Sequence, residues 1–405
     1  MRDALSGLAV PRGFRDILPT EARELHAIER TLLGAFADYG YVPLEPPAVE
    51  FASGAITVDE RRMVRFLDRD GRLLALRPDV TTAVARVVAQ RYRSADAPLR
   101  LSYFTAVFRE EASMRGSERE YDQAGIELVG AAGPLADSEV IALLADALVR
   151  CGLVSAEIDV GHAGYLRGFT EELPAEARDA FAAAARDGDL VRAVSLARGA
   201  GLAAKRVTAL ELGFRHRGPD VAAARADAPK GSLRALDELD ALGPLFEAAG
   251  IGAAVRFDLG FVPALPYYSG VVFQVTAPGL GFPVAAGGRY DGLLGRFGAD
   301  RPATGFAINV PHLHQAVLDA GWSPAGDTAL LLLEPSADAI ATVRVATALR
   351  RAGIAVCIGP IAERAGREVR AGRVVDEGHV AYEGETRSLE ALVTLLGGSL
   401  GGSTA

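Results

Sequence analysis

The sequence predicts an α+β protein organised in three blocks, and three observations carry that reading. Two stretches of ten and eleven residues, Leu99 to Phe108 and Arg119 to Val129, alternate in polarity as strands do, with a polar loop (EEASMRGSE) between them. From about Val160 to Gly250 the chain breaks into short Ala-rich helical stretches such as AEARDAFAAAARDG. The last block, Asp327 to about Leu396, reads strand, helix, strand. A chain of 405 residues has room for two or three domains.

The elements follow in order from local signals. Pro19 and Thr20 open a first helix, Leu25, Ile28, Leu32, Phe36 and Tyr39 recur at helical spacing, and Gly40 stops it. Tyr41 to Phe51, YVPLEPPAVEF, interleaves apolar residues with prolines and suits an extended edge strand. Asp79 precedes a helix over Val80 to Tyr92, and Ser138 to Cys151 forms another, with Val140, Leu144, Ala147 and Cys151 on one face and Gly152 as its stop. Strand patterns return at Val255 to Leu259, Val271 to Thr276 and Thr304 to Val310. The domain boundaries expected are 1–320, with a helical insert at about 160–250, then 327–396, then a flexible Gly/Ser tail at 397–405.

Composition excludes several classes. Half the residues are hydrophobic and 23% are charged, which argues against extended disorder. The apolar run Ala329 to Leu333 is far short of the ~20 residues a membrane span needs. No signal-like apolar segment opens the chain, and two cysteines, Cys151 and Cys357, make neither a disulfide framework nor a zinc set, so a cytoplasmic setting is expected. A net charge of −9 gives no bulk reason to bind nucleic acid. The six histidines are scattered, and His312 and His314, two apart on a helix, point in different directions, so no metal site and no cofactor are expected.

The strand Arg119 to Val129 carries the most chemistry. Period two places Arg119, Tyr121, Gln123, Gly125 and Glu127 on one face and Asp122, Ala124, Ile126 and Leu128 on the other. With the aliphatic face as core, Gln123 and Glu127 offer a donor and anionic acceptors to a small molecule's ammonium group, and Gly125 leaves room for a ligand near the backbone. Alone, the strand fits a solvated outer face at least as well. Arg109, at the end of the preceding strand, has the geometry to clamp a carboxylate or phosphate, or to sit as a surface arginine. Asp79 reads as an N-cap, with the Thr81 hydroxyl beside it at a helix start that favours anions. The glycine-dense AAGGRYDGLLGRFG (Ala285 to Gly298) matches neither GxGxxG nor GxxxxGK[ST].

Five segments in order, PRGFRDILP, LRPDVT, FREE, EYDQAGIELVG and GGRYDGLLGRFG…ATGFAINV, resemble the class II histidyl-tRNA synthetase catalytic fold from about Pro11 to Leu318. The resemblance implies an antiparallel six- or seven-stranded sheet flanked by helices, with a helical insert and a small C-terminal α/β module like a degenerate anticodon-binding domain. It implies a homodimer formed through the first helix and YVPLEPP. Carried over by position, Asp79, Thr81, Arg109, Gln123 and Glu127 fall where that family holds histidine, with Tyr267 and Tyr268 beside the ligand. Three synthetase positions depart: arginines of the ATP site correspond here to Ser117, Pro263 and His312. One lost charge-stabilising donor typically costs ~10²–10³ in rate, so adenylation is not expected. A synthetase relative that keeps the histidine side and loses the ATP side resembles the regulatory subunits of ATP phosphoribosyltransferase. Those join a short catalytic subunit, required for its activity in the first step of histidine biosynthesis, and the complex is inhibited by histidine; tRNA is not among the expected partners. The alternative is a divergent histidyl-tRNA synthetase.

Overall fold

Proline costs nothing at the first turn of a helix, where its missing N–H has no partner to lose, and Pro19 opens α1 (Pro19–Asp38) accordingly. The computed structural model describes residues 9–54, 60–110, 118–262, 267–324, 329–360 and 368–397. Leu25, Ile28, Leu32 and Phe36 of α1 are buried as expected, and Phe36 meets Phe306 edge-on at 5.8 Å. Tyr39 lies in the turn past the helix, closed by Gly40 at φ +79°.

The single edge strand expected over Tyr41 to Phe51 is instead two. β1 (Val42–Pro43) pairs in parallel with a long strand, whereas β2 (Val49–Phe51) joins β3 (Arg65–Leu67) and β4 (Leu73–Leu76) in a separate three-stranded sheet. The prolines between cannot donate to a ladder, which explains the break. Arg77 fastens the two sheets, donating from Nε to the Ala106 carbonyl (2.7 Å) and from a terminal nitrogen to that of Pro46 (2.5 Å).

Helix α2 (Thr81–Arg91) precedes the two long strands, β5 (Leu99–Phe108) and β6 (Glu120–Val129), which fall within a residue of expectation. Their polar connection lies outside the described residues over 111–117. Helix α3 (Pro134–Arg150) starts four residues earlier than read, because Gly133 at φ +81° and Pro134 set its first turn. β7 (Glu157–His162) leads into the insert helices α4 (Ala163–Glu172), α5 (Ala175–Arg186), α6 (Leu190–Gly199) and α7 (Ala204–Arg215). After β8 (Arg217–Gly218) come α8 (Lys230–Asp240) and α9 (Gly243–Ala248). β9 (Val255–Asp258), β10 (Val271–Thr276), β11 (Ala285–Arg289), β12 (Ala303–Asn309) and α10 (Val310–Asp319) complete this part.

Among the described residues these strands form one nine-stranded sheet, ordered β1-β5-β6-β12-β11-β10-β7-β9-β8. The expected six or seven strands are exceeded because two-residue β1 and β8 extend either edge. Pairing is antiparallel except at β1/β5 and β7/β9. β11 is the strand no alternation announced: its sequence is AAGGR. A side chain at Gly287 would strike the ring of Phe273 on β10, so the glycine makes space for an aromatic neighbour.

The chain divides into two compact units, Ile28–Trp322 with the segment up to Arg15, and Ser323–Ala405 with Asp16–Ala27. The smaller unit holds β13 (Leu330–Glu334), α11 (Ala339–Arg351), β14 (Val356–Ile358), β15 (Val369–Asp376), β16 (His379–Tyr382), β17 (Glu385–Ser388) and α12 (Leu389–Leu395). Its sheet runs β14-β13-β15-β16-β17 over a core of Leu331, Leu333, Val345, Leu349, Val374, Val380 and Tyr382. Asp338 caps α11, accepting from the Ile340 N–H at 2.8 Å. The Gly/Ser tail lies outside the described residues from 398. No helix among the described residues is long and apolar enough to cross a membrane, and they contain no group of metal-ligating side chains.

Candidate functional site

β6 is buried on both faces, which removes the solvated-face reading: Gln123 is 7% exposed and Glu127 1%. Their shared face forms one wall of a cavity of about 310 Å³ in the larger unit. The cavity brings together all seven residues singled out in the sequence: Asp79, Thr81, Arg109, Gln123, Glu127, Tyr267 and Tyr268.

Each is positioned by its element. Asp79 caps α2, its Oδ1 accepting from the Thr82 N–H at 2.9 Å, so it serves the helix and lines the cavity at once. Arg109 follows β5, donates from Nε to the Pro78 carbonyl (2.7 Å) and lies over the Tyr121 ring, 5.9 Å from its centroid. That leaves the guanidinium's terminal N–H groups for an anion. Tyr267 and Tyr268 stack with ring centroids 4.7 Å apart, and Tyr267 meets Tyr290 edge-on at 5.8 Å.

Glu127 is the electrostatic centre. Its Oε2 accepts a hydrogen bond from the Tyr290 hydroxyl, while Oε1 is buried without a hydrogen-bond partner among the described residues. Burial pushes its carboxyl up to about 8; the hydroxyls of Tyr290 and Thr81 oppose the shift and the Asp79 charge adds to it. Burial likewise raises the phenols of Tyr103, Tyr267, Tyr268 and Tyr290 above their ordinary value. A buried carboxyl lacking a partner is matched by a ligand N–H or cation, which would restore its ionised form.

Gly125 does not bring a ligand to the backbone. A side chain there would strike the Tyr103 hydroxyl and the Phe306 carbonyl, so the space belongs to the core. The sequence reading passed over Tyr290, Asn309 and Arg62 as cavity residues. His312, which the sequence offered as no ligand but as a departure from a synthetase pattern and as half of a histidine pair pointing apart, also lines it, with Nδ1–H donating to the Pro283 carbonyl at 2.8 Å and its ring 4.0 Å from that of Phe282. The Asn309 side chain accepts from the His312 N–H at 3.0 Å and so caps α10, with Pro311 in its first turn. Ser117 and Pro263 lie outside the described residues. Carboxylates (Asp79, Glu127) and cations (Arg62, Arg109) thus face one small space, an arrangement suited to a zwitterion carrying a further N–H group.

A family model described as histidyl-tRNA synthetase matches residues 13–313. A solved structure titled as an ATP phosphoribosyltransferase regulatory subunit/histidyl-tRNA synthetase from Bacillus halodurans C superposes with TM-score 0.80 at 27% identity, covering 90% of this chain and 98% of that one. The histidyl-tRNA synthetase of Nostoc sp. PCC 7120, 18% identical, shares the fold with TM-score 0.78, over 96% of this chain and 98% of that one. The larger unit is therefore a class II, histidyl-tRNA synthetase-like domain. The ATP phosphoribosyltransferase regulatory subunit of Moorella thermoacetica is 37% identical over 360 residues, 87% of this chain and 92% of its own length. That of Rubrobacter xylanophilus is 40% identical over 354 residues, 85% and 83% respectively. The chain belongs to the family of ATP phosphoribosyltransferase regulatory subunits.

Proposed function

We propose that this chain is the non-catalytic regulatory subunit of an ATP phosphoribosyltransferase, required by a short catalytic subunit in the first step of histidine biosynthesis, and that its cavity senses free histidine. The observation that carries the reading is the convergence of the seven residues on one cavity around the unpartnered Oε1 of Glu127. Histidine supplies what such a site lacks: an ammonium and an imidazole N–H for the carboxylates, and a carboxylate for Arg109. Ser117, Pro263 and His312, where the synthetase pattern has ATP-binding arginines, support a role without adenylation. The chain pairs with itself through α1 and YVPLEPP within a larger hetero-oligomer, works in the cytoplasm, and does not take tRNA as a partner.

Feedback then follows from linkage. If histidine binds one state of the complex more tightly, occupancy shifts the population toward that state by the ratio of the two affinities. The test mixes this chain with the short catalytic subunit of the same organism and follows phosphoribosyl-ATP formation. Activation that histidine suppresses is expected. A confirmed complex without activation overturns the reading, and histidine-dependent ATP–pyrophosphate exchange would establish a divergent synthetase instead.

A further inference from the structure

A second cavity, of about 260 Å³, lies in the larger unit between α4 and α5 and shares Tyr268 as a wall with the first. Leu166, Arg167 and Thr170 recur at helical spacing along α4, and Phe181 and Ala185 along α5, so one face of each helix lines the cleft. The floor is apolar and aromatic, with Phe181 only 1% exposed and Phe261 beside it. Arg167 and Arg186 line it as exposed side chains, and neither has a hydrogen-bond or ion-pair partner among the described residues. In a chain of net charge −9, no Asp or Glu among the described residues lines this cleft. Of the two carboxylates at the end of α4, Glu172 pairs with Arg206 at 3.1 Å, and Glu171 lines the neighbouring cavity, to which Arg167 also contributes, rather than this cleft. His162, at the cleft's inner end, is already engaged, its Nε2 2.9 Å from Glu238 and its Nδ1 accepting from the Gly164 N–H.

We propose that this cleft binds a small aromatic phosphate of the nucleoside monophosphate type, with the ring against Phe181 and Phe261 and the phosphate held by Arg167 and Arg186. Two guanidiniums in a cleft that no carboxylate among the described residues lines form a site for a multiply charged oxyanion. The aromatic floor takes a flat ring rather than a bare ion, and the volume, at the small end of ligand pockets, admits one ring system with its sugar phosphate.

The test is titration calorimetry on the full chain with AMP, adenosine, ribose 5-phosphate and inorganic phosphate. AMP is expected to bind more tightly than each of the other three. Arg167→Ala and Arg186→Ala, both exposed positions where folding is not at stake, are expected to weaken AMP by about tenfold each and to leave adenosine unchanged. No AMP binding at millimolar concentration overturns the proposal, and so does AMP binding that both variants leave intact. AMP binding lost in Arg109→Ala and unaffected in Arg167→Ala would also overturn it, by placing the nucleotide in the first cavity. Glu127→Gln separates the two sites: it should weaken histidine and spare AMP.

Discussion

Glu127 reaches over Gly305 of the adjacent strand β12 to accept a hydrogen bond from Tyr290, two strands away from its own. Gly305 is the residue directly opposite Glu127, and a side chain there would strike both the Glu127 carboxyl and the Ile126 carbonyl. The site's central hydrogen bond therefore depends on a missing methyl group.

Gly305→Ala is accordingly expected to destabilise the protein by about 1–3 kcal/mol, the usual range for forced overpacking, and to displace Glu127. Thermal unfolding together with histidine calorimetry checks both effects. A variant with full stability and full affinity would show that the carboxyl does not need this position.

The raised carboxyl of Glu127 makes stability depend on pH. Its folded value of about 8 lies above the 4.5 of an unperturbed glutamate, so the native state holds a proton the unfolded state releases. Its contribution is greatest below about 4.5 and is lost as pH rises toward 8. Glu127→Gln should remove that slope and stabilise the ligand-free protein at pH 8 by a few kcal/mol. Denaturant unfolding of both proteins between pH 5 and 9 measures it; parallel curves would refute the burial argument.

Ligand binding should run the other way. A cationic or N–H-donating ligand needs Glu127 ionised, so binding below pH 8 releases a proton, and histidine affinity should rise with pH by up to about tenfold per unit before levelling. Glu127→Gln should flatten this profile and weaken histidine by about 1.5–3 kcal/mol. Proton release read in buffers of different ionisation enthalpy provides the independent check.

Arg109→Ala removes the guanidinium expected to meet the ligand carboxylate and should cost about 1.5–3 kcal/mol of histidine affinity. Because Arg109 also supports the Pro78 carbonyl, Arg109→Lys helps to separate the roles. Lysine keeps the charge but loses the planar fork, so partial recovery is expected. Calorimetry with unchanged affinity in both variants would dismiss the assignment.

Asp137, in the first turn of α3, and Arg289, at the end of β11, form a buried ion pair with a contact of 2.8 Å and side-chain exposures of 3% and 6%. Asp137→Asn should cost about 1–3 kcal/mol, less than a fully stranded buried cation would, because Arg289 keeps Asp291 at 3.1 Å. Replacing both Asp137 and Arg289 with apolar residues should cost less than the two single losses combined. A double-mutant cycle by urea unfolding decides; a double loss equal to the sum of the single losses would contradict it.

Much of this was legible in local patterns. β5, β6 and α2 emerge within a residue or two because each is long and strongly periodic. Parity along β6 identified which residues share a face but not whether that face is wet, since that depends on what packs against it. The motif order supplied Asp79, Arg109 and Glu127, which periodicity alone left open. Tyr290 and β11 stayed hidden because a glycine-rich segment has weak strand preference of its own, and only the rings of Phe273 and Tyr268 lying against Gly287 and Gly288 make it one. Arg62 was missed for a simpler reason: a three-residue 3₁₀ turn, Glu60–Arg62, has no period to read.

The strand order has a further consequence, for biogenesis. β6 lies between β5 and β12, so the strand bearing Gln123 and Glu127 lacks one neighbour until the whole helical insert and β10 and β11 have been synthesised. Local helices can form early, but the cavity closes only with this late, non-local pairing. A chain ending before β12 therefore lacks one wall of the cavity. Histidine at many times its dissociation constant should act as a folding chaperone for the finished chain alone, adding about 2.7 kcal/mol at a hundredfold excess.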